Sequence, residues 1–244
     1  MILQHGARQF DLSNSRSIAI PYSTGEQVNC YYAPPFQVTP VVMGTFIGDI
    51  NQGSPVNYMN VQVNPHGNGT HTECIAHISN MPVNIQGVLK NHHFIAQIIS
   101  VTPDIIENGD TVLLSKNIIP ILEKDIEAVI IRTLPNESAK TTKAYSGTNP
   151  PYLEATAALS FRESGIKHIL IDLPSLDREE DGGALAAHKA FWHYPEAPRL
   201  DCTITELIFV PDAIADGIYL LNLQIAPFCM DATPSNPVIY PMLK

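Results

Sequence analysis

The sequence predicts one mixed α/β domain with a strand-rich core. Three observations carry this: short Ile/Val-rich runs recur along the whole chain, Pro or Gly lies beside most of them, and only two stretches show a well-formed helical pattern. In chain order, the runs at 41–50, 59–63, 94–101, 112–114, 128–132, 168–173, 218–225 and 238–240 read as strands. Residues 118–124 reach at most a short turn of helix, because Pro120 removes a backbone donor. Residues 136–151, polar and ending in two prolines, read as an exposed loop. Good helix formers fill 153–164 and stop at Gly165, a C′ glycine before the next strand. A second helix spans 183–192, with Leu185, His188, Lys189 and Trp192 on one face. Strands, then helix–strand–helix, then strands again is the order of a single domain, 1–244, and not of a regular βαβ winding.

The 244 residues are 45% hydrophobic and 16% charged, which allows a sizeable core and excludes a disordered or fibrous chain. Lys+Arg number 14 against 24 Asp+Glu, a net charge of −10. Without a basic stripe, so acidic a chain is a poor partner for nucleic acid or for an anionic membrane surface. No apolar run approaches the ~20 residues of a spanning helix. The opening MILQHGARQFDLSNS lacks the basic flank and apolar block of a signal peptide. Cys30, Cys74, Cys202 and Cys229 are dispersed and form no CxxC pair, so reduced thiols and a cytoplasmic location are expected.

The chemistry concentrates in PHGNGTHTECIAH, residues 65–77, which holds His66, His71, Glu73 and His77. On an extended backbone, side chains at i and i+2 share a face about 7 Å apart, so His71 and Glu73 could grip one ion. On a helix they would diverge by about 200°, so the metal reading requires strand or loop here. Gly67 and Gly69 permit a sharp path that brings His66 to the same point. Mixed imidazole and carboxylate ligands suit zinc, manganese or iron(II), and an ion held with one position open activates water for attack on a carbonyl. The plainer alternative is a Gly-rich turn whose histidines satisfy local backbone groups. Phosphate-loop, GxSxG and HExxH patterns are absent.

GTHTECIAH at 69–77 resembles the HxGTHxDxPxH signature of the cyclase family of metal-dependent hydrolases, which includes bacterial kynurenine formamidases and isatin hydrolases. The resemblance covers nearly the whole chain. FDLSNSRSIAIPY is similar to the family's opening strand, and GIKHILIDLPSLD to the segment that carries Asp172, Ser175 and Asp177. AAHKAFW, CTITELIFVPDAIADGIYLLNLQIAPF and SNPVIYPML follow in the family's order. The resemblance implies a swivelling β/β/α fold and a divalent transition metal, with zinc the leading choice and manganese the second. It implies His71, Glu73, His188 and Glu206 as metal ligands and His77 as general acid/base. It also implies a small-molecule amide substrate, such as an aryl formamide or cyclic amide, and a homo-oligomer, dimer or tetramer.

Three departures stand out. In strict register the signature's first histidine falls on Gly67, with His66 one residue early; a one-residue bulge would return His66 to the ligand set. The family's Asp is Glu73, longer by one methylene, and its Pro is Ile75, beside a Cys74 expected to be a buried small residue. Asp172 and Asp177 are expected to shape a turn, His92 and His93 to lie in a solvated turn, and Trp192 and Tyr194 to pack in the core. The expected function is amide hydrolysis. The alternatives are a metal-dependent lyase or dehydratase on the same scaffold, and a binding protein that has lost its metal.

Overall fold

In the computed structural model, which describes residues 1–243, the chain opens with β1 (Ile2–His5), β2 (Arg8–Asp11) and the short β3 (Arg16–Ser17). A largely exposed excursion follows, in which β4 (Gln37–Pro40) pairs with β7 (Met59–Gln62) and β5 (Val42–Met43) with β6 (Phe46–Ile47). One helical turn, α1 (Pro65–Asn68), leads into β8 (His71–Glu73), α2 (Ile85–Val88) and β9 (His93–Val101). Next come β10 (Asp104–Ile105), β11 (Thr111–Leu113), α3 (Ser115–Ile118), β12 (Ala128–Thr133), β13 (Tyr152–Leu153) and α4 (Ala155–Glu163). The chain ends with β14 (His168–Ile171), α5 (Ala186–Trp192), β15 (Thr203–Glu206), β16 (Gly217–Ile225) and β17 (Ala232–Pro241).

Seven strands close into a ring in the order β16–β9–β12–β14–β15–β8–β17, because β17 pairs back onto β16; β3 attaches to β17. From β9 to β15 neighbours are parallel, whereas β8 runs antiparallel to both β15 and β17. Along the parallel strands, alternate residues feed two separate cores. Phe94, Ala96, Ile98, Ala128, Ile130 and Leu170 pack inside the ring with Leu221, Leu223 and Ile239. Ile95, Ile99, Val129, Ile131, Ile169 and Ile171 pack outward against Phe161 of α4 and Ala187, Phe191 and Trp192 of α5. Burial on both faces explains why these strands read as continuous apolar runs. Trp192 has the expected core role, with its indole N–H donating to the Cys202 carbonyl at 3.0 Å.

The mixed α/β, strand-rich fold follows the sequence, with local corrections. The run 41–50 is not one strand: it breaks at Gly44, whose φ of +58° turns β5 back onto β6. The second helix begins at Ala186, not 183. Leu185 has φ +48°, and the helix start is held from a distance by Asp177, whose carboxylate accepts from the Ala187 and His188 amides. The loop 136–151 is anchored, with Tyr145 buried and Lys140 donating to buried Asp172 at 2.8 Å and to the Thr133 carbonyl at 2.6 Å. Among the described residues, no helix is long and apolar enough to cross a membrane.

His168 makes the interior sensitive to acid. Its ring lies 3.9 Å from that of Phe94, and Nδ1 is 2.9 Å from the Thr203 hydroxyl. Burial pulls its pKa down to about 3, so the folded protein keeps it neutral. The unfolded chain takes up this proton near pH 6.5, and stability therefore falls as pH drops from 6.5 towards 3. Substitution His168→Gln removes this one-proton dependence. Between pH 7.5 and 5.5, urea unfolding of the wild type should lose about 1.4 kcal/mol more stability than the variant does.

Candidate metal centre

The position of β8 in the ring assembles the site. Antiparallel register sets His71 opposite Glu206 of β15, and Glu73 opposite Ala232 of β17, next to Asp231. His71 and Glu73 share one face of β8, on the side where Ile204 meets α5, and Thr72 points the other way to meet Thr205 Oγ1 at 2.8 Å. From above, α5 docks through Ala187, Phe191 and Trp192 and thereby delivers His188. Its Nδ1 is 2.6 Å from Asp177, and its Nε2 is 3.0 Å from Glu73 Oε1 and 3.7 Å from Glu206 Oε1. Glu206 is further steadied by the Leu176 amide, which donates to it at 2.9 Å.

His66 arrives by another route than the expected bulge. Asn64 caps the turn α1, accepting from the Gly67 amide, and Pro65 occupies the first turn, where its missing N–H costs nothing. His66 then projects so that Nδ1 is 3.4 Å from Glu73 Oε2 and Nε2 is 3.0 Å from Asp231. Both glycines are required by close approach. A Cβ on Gly67 would lie 2.3 Å from that of Ala33, and one on Gly69 would lie 2.9 Å from the Tyr22 ring. Position 67 thus has no room for a side chain, and the imidazole comes from His66 instead.

His77 ends a 3-10 turn, Ile75–His77, with Nε2 3.6 Å from Glu73 Oε2 and Nδ1 3.4 Å from Asp231. All six residues singled out in the sequence therefore converge. Asp231, which sequence reasoning missed, joins them; it lies far along the chain, in no motif, and only the β8–β17 pairing brings it in. Asp177 was expected to shape a turn and also orients His188. By contrast His92 and His93 are exposed, with His92 Nδ1 bonded to the Leu223 carbonyl, away from the site. Cys74 is fully buried, as expected.

The donor atoms suit a cation. Those of His66, His71 and Glu73 lie within 4.8 Å of one another, as do those of Glu73, His77 and His188, and those of His66, His77 and Asp231. His71 Nδ1 faces the Gly69 carbonyl at 3.1 Å, and its Nε2, 3.4 Å from Glu206, has no hydrogen-bond partner. Glu73 Oε2 is equally buried and unpartnered. Two inward-facing buried atoms without partners would each cost about 1–3 kcal/mol. Mixed imidazole and carboxylate donors of this kind suit a divalent transition ion.

Without a cation, charge balance falls to the imidazoles. Burial alone would raise the Glu73 carboxyl, but His77, His188 and His66 outweigh it and hold it well below the usual carboxylate range. Burial likewise opposes protonation of His66, yet Asp231 and Glu73 lift it to about 10. His77 is raised mainly by Glu73, and Asp231 is lowered by its bonds to His66 and His77. A cleft of about 200 Å³ opens onto His66, His77 and Glu206, walled by Tyr31, Ser175, Arg178 and Leu185.

The sequence profile of the putative cyclase family matches residues 10–178, more than half of the chain. The chain belongs to this family. No curated protein sequence matches this member. Solved structures share its fold. One described as a potential metal-dependent hydrolase with cyclase activity aligns at TM-score 0.67 and 14% identity, covering 93% of this chain and 97% of the other. Isatin hydrolase A from Ralstonia solanacearum aligns at 0.66 and 14%, covering 95% and 93%. A predicted metal-dependent hydrolase from Bacillus stearothermophilus aligns at 0.64 and 14%, covering 93% and 98%.

If this cyclase-family centre takes a divalent transition ion, the ion will stabilise the folded protein by mass action. After chelator treatment, adding zinc or manganese to about 1,000 times its dissociation constant should add about 4 kcal/mol, read as a rise in melting temperature. His71→Ala, Glu73→Ala and His188→Ala should each abolish that increment.

Proposed function

We propose that this chain is a metal-dependent hydrolase that cleaves a C–N amide bond in a small molecule, such as an aryl formamide or a cyclic amide. One observation carries the reading: the unpartnered His71 Nε2 and Glu73 Oε2 face into a donor cluster at the foot of an open cleft, with the imidazole of His77 alongside. In support, the solved structures of like fold include enzymes named for metal-dependent hydrolysis and for isatin, itself a cyclic aryl amide. His71, Glu73, His188 and Glu206, joined by His66, would hold the ion. Bound there, a divalent transition ion supplies Lewis acidity and brings the pKa of a water towards neutrality.

The chain's own residues do the rest. Asp177 and the Gly69 carbonyl take the Nδ1–H of His188 and His71, leaving both Nε2 atoms directed at the centre. Glu206 is held by the Leu176 amide at 2.9 Å. His77 is roughly one-third exposed, so it can reach both the centre and the cleft. With Nδ1 turned to Asp231, its Nε2 is the atom that takes a proton from the attacking water and delivers it to the leaving nitrogen. Tyr31 and Leu185 give the cleft apolar surface for an aryl ring, and Arg178, ion-paired with Asp110, stands in its wall.

Protein stripped and reloaded with zinc or manganese should hydrolyse members of a panel of N-formyl arylamines and cyclic aryl amides. In ¹⁸O-labelled water the acid product should gain one solvent oxygen; turnover without that label would identify a lyase or dehydratase. His77→Ala should lower kcat by about 10²–10⁴-fold while leaving metal content unchanged. Activity within a few-fold of wild type would remove His77 from the proton-transfer role.

A further inference from the structure

Beyond its metal-facing donors, the cleft is charged by a loop. The segment 178–185, REEDGGAL, lies between β14 and α5 and supplies Arg178, Glu179, Asp181 and Leu185 to the cleft wall. Among the lining residues Arg178 is the one Lys or Arg. Its Nε lies 2.9 Å from Asp110 Oδ2, so its charge is offset by a residue outside the lining. Glu179 and Asp181 are held by backbone amides instead. Glu179 accepts from Gly147 at 2.7 Å through one oxygen and from Asn149 at 3.1 Å through the other. Asp181 does the same with the amides of Gly183 and Leu185, at 2.8 and 2.6 Å. Amides satisfy the lone pairs but bring no net charge. An Asn or Gln side chain has one accepting oxygen where these residues use two, so the loop is shaped around carboxylates. Two negative charges are thereby fixed at the mouth.

The inner end of the cleft has the same sign. Glu73, Glu206, Asp177 and Asp231 converge on the centre, and a divalent ion offsets two of these four carboxylates. Like charges that face one cleft add their fields between its low-dielectric walls. A bound molecule therefore meets excess negative charge at both ends. At about 200 Å³ the cleft is smaller than the about 300–1,000 Å³ of sites for drug-sized ligands, so it suits a single ring.

We propose that Glu179 and Asp181 select the substrate by charge. The cleft takes a one-ring aryl amide whose end remote from the scissile bond is uncharged or cationic. It turns away an amide that carries a carboxylate there, N-formyl amino acids included. The inference rests on the hydrolase reading for the group that reacts, and on the cleft alone for the charge preference.

Three formanilides test it, identical except for a para carboxamide, trimethylammonium or carboxylate group. Their binding is measured by calorimetry on zinc-loaded His77→Ala protein, which keeps the metal donors and lacks the proton-transfer group. Their kcat/KM is measured on the zinc-loaded wild type. At about 0.02 M salt the carboxylate should bind at least about 30-fold more weakly than the carboxamide, and the trimethylammonium compound at least as tightly as the carboxamide. Raising the salt to about 0.5 M should narrow the gap about tenfold, because charges at an open mouth are screened. Glu179→Gln combined with Asp181→Asn should narrow it likewise and weaken the trimethylammonium compound, whereas a purely structural role would weaken all three alike. Thermal melts report whether that variant folds, and the salt series reads the same charges with the loop unaltered. Equal binding of carboxylate and carboxamide, or a gap that salt leaves unchanged, would overturn the inference. Binding in the expected order without turnover by the wild type would instead remove the hydrolase reading and leave the charge preference standing.

Discussion

One buried carboxylate governs this molecule. Glu73 has no solvent exposure, lies in a strand of the closed ring and is charged. Removing such a group from water costs several kcal/mol, recovered only when opposite charge and hydrogen-bond donors surround it. His188 approaches one oxygen, and His66 and His77 approach the other. Each imidazole has in turn an acidic residue behind it, Asp177 or Asp231. Much of the −10 charge of the chain is peripheral, but these acids are part of one balanced cluster. A divalent ion would complete the balance with fewer protons.

Fold and site rest on the same hydrogen bonds. β8 is only three residues long, yet it bridges β15 and β17 and so closes the ring. A slip of one residue in its register would turn His71 and Glu73 inward and send Thr72 out to the site. The Thr72–Thr205 hydroxyl pair guards against this, since it forms only in the observed register. The site therefore could not be assembled by local sequence alone; it exists where the ring is closed.

How legible this was depends on what each residue contributes. The parallel strands were readable because both of their faces are apolar, and the ordered motifs located the family. β15 was not read as a strand: TITE carries no apolar run, because it alternates between the outer core and the Thr pair. Residues 136–151 read as solvent-facing because their polarity is real, but the charge of Lys140 is spent on a buried aspartate. Asp231 was invisible for a different reason. It contacts His66 across 165 positions of sequence, and nothing in CMDATP distinguishes it from any loop aspartate. His66 was legible as a residue and misread in its path, because the close approach of Gly67 to Ala33 is a contact that no local pattern connects to it.

The cluster divides by exposure and by the element on which each residue stands. His71, Glu73, Glu206 and His188 stand on ring strands or on the docked helix, with side chains at most 4% exposed. His66, His77 and Asp231 stand on turns or at a strand's approach, with side chains 25%, 31% and 32% exposed. The dry donors on strands and helix suit holding an ion, the exposed His77 suits passing a proton to and from the cleft, and His66, a quarter exposed, meets Glu73 at the cleft's edge. Gly67 packs on Ala33 and Gly69 on Tyr22, and Tyr22 in turn packs on Phe36. The path of His66 is therefore set by contacts with residues 22–36, whereas the strand-borne donors are set by the ring.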